Sequence, residues 1–457
     1  MPVAIWWIRR DLRLTDNFAL QAARQSGYPV LPVFIMDNRL IAGPVNRRQR
    51  FLVNALKDMR DQLQQEGSDL LVHSGKPEEV LSSLAMETSA IGVYAEEDYS
   101  PYAVNRDATV GRAVPLTLTP GLTIHPPDAV LKPDGSPYTI FTPYSRKWLS
   151  LPTPFLPTST EGGFLPAHQF PPSVPLPGLD PVEGFTATRD EAESRLAVFL
   201  SLRIDDYSVN RDRMDLNGTS GLSPYLRFGL LSAARLSVAL REQAGILTDG
   251  RRTWLNELIW RDFYQSILHH FPYVTREAFQ AKFRRIPWRN APGDLQAWKD
   301  GLTGYPVVDA AMRQLKSTGW MHNRARMITA SFLTKDLLIN WQEGERWFMD
   351  QLVDGDPAAN NGGWQWAAGT GTDAAPYFRI FNPVLQGKRF DPLGAYIRRW
   401  VPELRLVPDN YIHEPWTIPP LEQASLGVVI GRDYPSPIVD HKKVRDRTLA
   451  AYRASAG

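Results

Sequence analysis

Over the first 125 residues, short apolar runs alternate with stretches whose apolar positions recur every three to four residues. The runs VAIWWI (3–8), VLPVFIMD (30–37), DLLVHSG (69–75), IGVYAEE (91–97) and PLTLTP (115–120) have the length and the Val/Ile content of strands. Between them, 46–67 and 77–89 carry helical periodicity. Strands that are apolar along their whole length and separated by helices predict a parallel sheet covered on both faces. The turn after the first run, RRDLRLTDN, contains no glycine, so the dinucleotide fingerprint is missing. The Rossmann-like shape therefore does not imply a bound NAD.

At residue 126 the periodicity stops. Fourteen of the 38 prolines fall in the 56 residues 126–181, which predicts an extended connector lying over a surface. Beyond about residue 190 the pattern is helical almost to the end, interrupted by glycine-rich loops, and 11 of the 14 tryptophans lie after residue 250. The expected organisation is an α/β domain (1–125), a proline-rich connector (126–190) and an all-α domain (191–457).

Composition narrows the function classes. A chain of 457 residues with 43% hydrophobic and 22% charged residues is ordinary globular material, too long for a single core. With no cysteine, disulfides, thiolate zinc sites and cysteine nucleophiles are excluded. The N-terminus turns charged after eight residues, too early for a signal peptide, and no run reaches the roughly 18 apolar residues of a membrane span. A cytoplasmic protein without membrane contact is expected. The net charge of +2 argues for nucleic acid only if a local basic patch exists.

Four segments carry candidate chemistry. In NGTSGLSPYLRFG (217–229), Ser223 before Pro224 reads as the N-cap of a helix preceded by Gly218, Thr219, Ser220 and Gly221. Backbone N–H groups, hydroxyls and a helix end suit a phosphate, although a capped helix with a glycine turn accounts for the same residues. In WLNELIWRDFY (254–264), Trp254, Glu257, Trp260, Arg261 and Tyr264 share one helix side, while Leu255, Leu258, Ile259 and Phe263 supply packing. That is either an aromatic-walled pocket with an acid in it or a core helix with a Glu257–Arg261 pair. In GWMHNRARM (319–327), read as one helix, Trp320, Asn323, Arg324 and Met327 fall on one side and Arg326 points elsewhere. His322 has no second ligand at metal spacing and reads as a hydrogen-bonded core residue; no metal site is expected. In DGDPAANNGGWQWAAGTGTDAAPYFRIFNP (354–383), carboxylates and amides among glycines suit close approach to a large flat ligand. Arginines interleaved with aromatics (KFRRIPWRN, HNRAR, YFRIF) suit phosphate contact with base stacking. No Ser/His/Asp elbow, Walker loop or metal cluster is visible, which points to a cofactor performing the chemistry.

These segments, with WWIRRDLRLTDN and HEPW, resemble the photolyase and cryptochrome family, and within it the class I cyclobutane pyrimidine dimer photolyases. The resemblance implies an N-terminal α/β domain and a helical domain holding FAD, active in its reduced anionic form. It implies that Tyr207, Thr219, Ser220, Gly221, Leu222 and Ser223 bind the ribityl and phosphate part of FAD. Trp254, Glu257, Arg261, Asn323, Asp354, Gly355 and Asp356 would line the flavin, Arg326 would pair with Asp354, and Asn360 would face flavin N5. Family members with arginine at the place of Gly221 have a phosphate contact that is absent here.

The implied partner is UV-damaged DNA bound by a monomer, with the dimer flipped out of the duplex. Trp260 and Trp366 would hold the dimer, Glu257 and Asn323 would bond its polar edges, and Met327 would be its apolar contact. Arg211, Arg261, Tyr264, Arg324 and Arg379 would meet the DNA, and Trp288, Trp341 and Trp364 would relay electrons to oxidised flavin. Trp298, Trp347 and Trp400 are expected to be core packing. The rivals are a (6-4) photolyase, which carries histidines where this chain has Asn323 and Met327, and a cryptochrome photoreceptor, which in plants tends to have aspartate for Asn360. An antenna chromophore is expected from the family, with 8-hydroxy-5-deazaflavin preferred over methenyltetrahydrofolate or FMN, because a folate-type Asn-Glu pair is replaced here by Asn105-Arg106.

Overall fold

The computed structural model describes residues 1–41, 43–157, 162–242 and 248–456, without the side chains of 241, 242 and 456. Residues 158–161 of the predicted connector lie outside the described residues. The chain forms two compact units, one of Met1–Asp205 with Ser220–Pro272, the other of Asp206–Thr219 with Tyr273–Gly457.

In the first unit, the five apolar runs become β1 (Ala4–Ile8), β2 (Val30–Met36), β3 (Leu71–Ser74), β4 (Gly92–Glu96) and β5 (Leu116–Thr119). They form one parallel sheet in the order β3-β2-β1-β4-β5, with Ala4 opposite both Val30 and Gly92. The longer helices that accompany it are α1 (Phe18–Gln25), α2 (Arg47–Gln65), α3 (Pro77–Glu87), α4 (Pro101–Ala113) and, in the connector, α5 (Phe141–Ser150). Every residue of β1 is buried, as a strand covered on both faces requires. Edge strand β5 is only partly covered. At the other edge the connector shields β3, where Ser173 Oγ accepts from Val72 N–H and Val174 N–H donates to Val72 O (both 2.9 Å).

Further helices of this unit include α6 (Arg189–Leu202), α7 (Ser223–Phe228) and α8 (Asp249–His270). The unit thus cuts the chain differently from the three-part division drawn from the sequence, because α8 is sewn to the connector. Asp262, on the buried side of α8, accepts from Ile124 N–H (3.0 Å), His125 N–H (3.3 Å) and Trp148 Nε1–H (3.0 Å). Burial pushes its carboxyl up to about 6, against the pull of Arg261 and these donors.

The second unit is helical. Its core gathers Trp298, Val308, Leu315, Leu333, Phe348, Trp364 and Ile397 around α9 (Pro306–Thr318), α10 (Asn323–Ser331), α11 (Trp341–Gln351) and α12 (Pro357–Ala368). Asp356 caps α12 by accepting from Ala358 and Ala359 N–H at 2.9 and 3.1 Å. Gly369 ends it at φ +76°. Trp347 and Trp400 pack partly buried against this core, as expected, and Trp298 is wholly inside it.

Gly344, in the middle of α11, is set by its neighbour rather than by backbone freedom: a Cβ there would lie 2.0 Å from Trp364 Cη2. Glycine in a helix interior ordinarily gains about 1 kcal/mol on replacement by alanine. Here the sign reverses, and Gly344→Ala is expected to destabilise by about 1–3 kcal/mol through overpacking. Urea denaturation followed by tryptophan fluorescence checks this; a stabilised variant would show that α11 and Trp364 do not meet so closely.

Candidate functional site

In the first unit, α8 carries the predicted side chains as the spacing requires. Trp254 is buried against Phe199 at 5.1 Å, Leu255, Leu258, Ile259 and Phe263 are buried, and Glu257, Trp260, Arg261 and Tyr264 are half-buried. Trp260 is held firmly. Phe141 of α5 stacks on one indole face at 3.7 Å and 3°, and Tyr264 leans on it at 5.5 Å, which leaves a flat apolar wall with a fixed plane. The Arg261 guanidinium donates to Leu122 O at 2.6 Å and lies 3.7 Å from Asp262, so the connector orients it.

The expected N-cap role of Ser223 is corrected: α7 begins at Ser223 itself, Leu222 stands in the cap position without a side-chain bond, and the helix has only six residues. So short a helix contributes little dipole, and an anion here would depend on the loop. Within the loop, Ser220 Oγ accepts from Leu222 N–H at 3.4 Å, and Gly221 takes φ +63°. A Cβ on Gly221 would lie 3.5 Å from Arg195 Nη1. Sequence reasoning missed Arg195. It comes from α6, where Glu191 holds its Nε at 2.5 Å and Gly184 O its Nη2 at 2.7 Å, and no sequence spacing signals that it reaches Gly221.

In the second unit, GWMHNRARM is not one helix, and the helical placement of Trp320 is corrected. Gly319 closes α9 at φ +71°, Trp320 and Met321 are non-helical, and α10 starts at Asn323. His322 is its N-cap, with Nδ1 accepting from Arg324 N–H at 3.1 Å. Asn323 and Met327 do come together, Nδ2 and Sδ being 4.0 Å apart. Arg324 turns to Asp212 at 2.7 Å and lies 4.4 Å from the Phe390 ring, a carboxylate partner the sequence gave no sign of. Nearby, Tyr207 is buried under the Arg211 guanidinium at 5.6 Å.

Arg326 reaches the other way, donating from Nη2 to Asp354 Oδ2 at 2.7 Å and from Nε to Met321 O at 2.8 Å. The Asp354 side chain is 3% exposed, and its Oδ1 has no hydrogen-bond partner. An unspent carboxylate oxygen in such a place is costly and suits an N–H or O–H from a ligand. Asn360 spends its amide N–H on Glu345 O at 3.0 Å, which fixes the direction of its oxygen. The neighbouring Glu345 carboxyl accepts from Asn361 at 3.0 Å and is pushed by burial up to about 7. Of the predicted relay, Trp364 is buried at 4.9 Å from Phe348, Trp341 opens α11, and Trp288 meets Tyr452 edge-on at 6.1 Å. Trp366 is half-buried beside Phe381 at 6.5 Å, and Arg379 is exposed.

A second constellation lies at the C-terminal edge of the sheet between β1 and β4, where the strand order reverses. The Arg9 and Arg106 guanidiniums lie 4.8 Å from the Trp7 ring, and Arg9 pairs with Asp107 at 2.7 Å.

His322 yields a prediction. Burial, with Arg324, Arg326 and Arg211 adding and Asp212 opposing, lowers its pKa to about 4, so the folded state keeps the imidazole neutral and able to cap. The unfolded chain binds a proton near pH 6.5, so this stabilisation is complete above that pH and is lost as pH falls towards 4. The unfolding free energy from urea denaturation is expected to fall more between pH 7 and pH 5 in wild type than in His322→Asn, an uncharged cap, by up to about 1.4 kcal/mol per pH unit. Equal slopes would refute the capping account.

Residues 4–161 match the DNA photolyase family and residues 254–454 the FAD binding domain of DNA photolyase. The deoxyribodipyrimidine photo-lyase of Escherichia coli is 43% identical over 475 residues, covering 100% of this chain and 99% of its own. Among solved structures, a class III photolyase from Agrobacterium tumefaciens matches with a TM-score of 0.93 and 38% identity over 100% of this chain and 98% of its own. A Synechocystis cryptochrome matches with a TM-score of 0.90 and 28% identity over 99% of each chain. The chain belongs to the photolyase/cryptochrome family, among the deoxyribodipyrimidine photo-lyases, and its helical part is an FAD-binding domain of that family.

Proposed function

We propose that this protein splits cyclobutane pyrimidine dimers in UV-damaged DNA by light-driven electron transfer from bound FAD. The observation that carries the reading is the pair formed by Asp354 and Arg326: a buried carboxylate is held by one guanidinium and left with an acceptor oxygen for a ligand. Fully reduced FAD, when bound, supplies the photoexcited electron and takes it back once the ring has opened.

The chain's own residues bind and orient. Tyr207 and the run 219–223 take the ribityl and phosphate part, with Arg195 bringing a cation to Gly221 in place of the missing arginine. By the family resemblance Trp254, Glu257, Arg261, Asn323, Asp354, Gly355 and Asp356 would line the flavin, and Asn360, with one amide N–H given to Glu345 O, would present its oxygen to the N5 proton of the reduced ring. Trp260, backed by Phe141, and Trp366 offer apolar faces to the flipped dimer. Glu257 and Asn323 hydrogen-bond its polar edges, where donors lower the energy of carbonyl oxygens as charge arrives on them. Met327 supplies the apolar contact. Arg211, Arg324 and Arg379 meet flanking phosphates, and Trp364, Trp341 and Trp288 return electrons to oxidised flavin. A second chromophore, a deazaflavin, would be held by the first unit near the turn of the strand order between β1 and β4, where Arg106 lies over Trp7.

The test is incubation of the reduced protein with oligonucleotides carrying a cyclobutane dimer or a (6-4) product, in light and in darkness, followed by chromatography. Repair of the cyclobutane lesion, in light alone, is expected. Repair of only the (6-4) lesion would overturn the assignment of Asn323 and Met327, and repair of neither would favour a photoreceptor.

A further inference from the structure

We propose that Asp128, His269 and His270, none of them given a role above, bind one divalent first-row transition ion of the Zn2+ type. Among the described residues they are the one group of three or more His, Cys, Asp or Glu side chains able to hold a metal, with ligand atoms all within 4.8 Å of one another. His269 Nε2 and His270 Nε2 lie 3.7 and 3.8 Å from Asp128 Oδ1. Those separations are too long for hydrogen bonds. They come close to the roughly 3.3–3.5 Å between ligand atoms around a tetrahedral ion with bonds of about 2.0–2.1 Å.

The rings are also set as metal ligands are set. His270 Nε2 is buried and has no hydrogen-bond partner. The same ring bonds the Pro127 carbonyl, and with Nε2 unpartnered that bond falls to Nδ1, which fixes the tautomer so that a bare lone pair faces Asp128. His269 is held edge-on by Tyr99 at 5.3 Å and by His270 at 4.8 Å. The two elements meet because Asp262 bonds Ile124 and His125 N–H, just before the turn Pro127–Ala129, to the helix that ends in the two histidines.

The donor set selects the ion. Two imidazoles and one carboxylate suit Zn2+ and its neighbours, whereas Mg2+ and Ca2+ prefer oxygen. Three protein ligands leave a position for water. The Asp128 side chain is 73% exposed, which gives the ion a path in. A cation here also sits at the C-terminal, partially negative end of α8. Bound, it ties the 127–129 turn to that helix and adds stability by mass action.

The test uses the full-length flavoprotein, dialysed against chelator and then titrated with Zn2+ alone. Equilibrium dialysis with elemental analysis is expected to give one Zn2+ per chain, with a raised thermal midpoint. Asp128→Asn and His270→Gln are each expected to weaken binding at least tenfold with unchanged circular dichroism and flavin absorbance. Should His270→Gln fail to fold, the exposed Asp128→Asn decides alone. Absence of stoichiometric Zn2+, or uptake unaffected by either substitution, would overturn the proposal.

Discussion

Every carboxylate that this fold takes out of water must be met by donors, and much of the architecture follows from how that demand is answered. Asp262 is answered by two connector N–H groups and the Trp148 indole, which binds the connector to α8 and so places Trp260 and Arg261. Asp309 is answered by Thr303 N–H and Oγ1–H, Gly304 N–H and Tyr434 O–H, which fastens the start of α9. Asp391 receives Tyr396 and Ile397 N–H. A single buried charge left without partners costs several kcal/mol, comparable with the net stability of a domain, so none of these bonds is decoration.

Asp354 differs from these structural pins. Its partner Arg326 takes one oxygen only, and the other has no donor. Asp262, one of those pins, also has an oxygen without a hydrogen bond, yet the Arg261 guanidinium lies 3.7 Å from it. An acceptor left open in this way is what the proposed flavin contact rests on, and Asp354 lies within the residues that match the FAD binding domain of DNA photolyase.

Much of this was legible in the sequence, for physical reasons. Five apolar runs gave five parallel strands within a residue or two at each end; β1 and β2, buried almost throughout, show why, since a strand covered on both faces has few polar positions to blur its limits. The face of α8 with Glu257, Trp260 and Arg261 followed from helical spacing alone. The start of α10 did not, since a histidine cap is not among the residues that ordinarily announce a helix, and its capping depends on burial that only the tertiary structure supplies. Phe141 on Trp260, Arg195 beside Gly221 and Asp212 on Arg324 were equally hidden, because each joins segments far apart in the chain.

The account rests on the claim that the unspent oxygen of Asp354 belongs to the flavin. The direct measurement is the flavin-to-protein ratio, by absorbance at 450 and 280 nm, of purified Asp354→Asn, whose amide keeps the shape but loses the charge that holds Arg326. The account predicts flavin content reduced to about a tenth or less, about 1.4 kcal/mol or more of lost affinity, with the far-UV circular dichroism of the wild type. A variant that retains a full complement of FAD would contradict it.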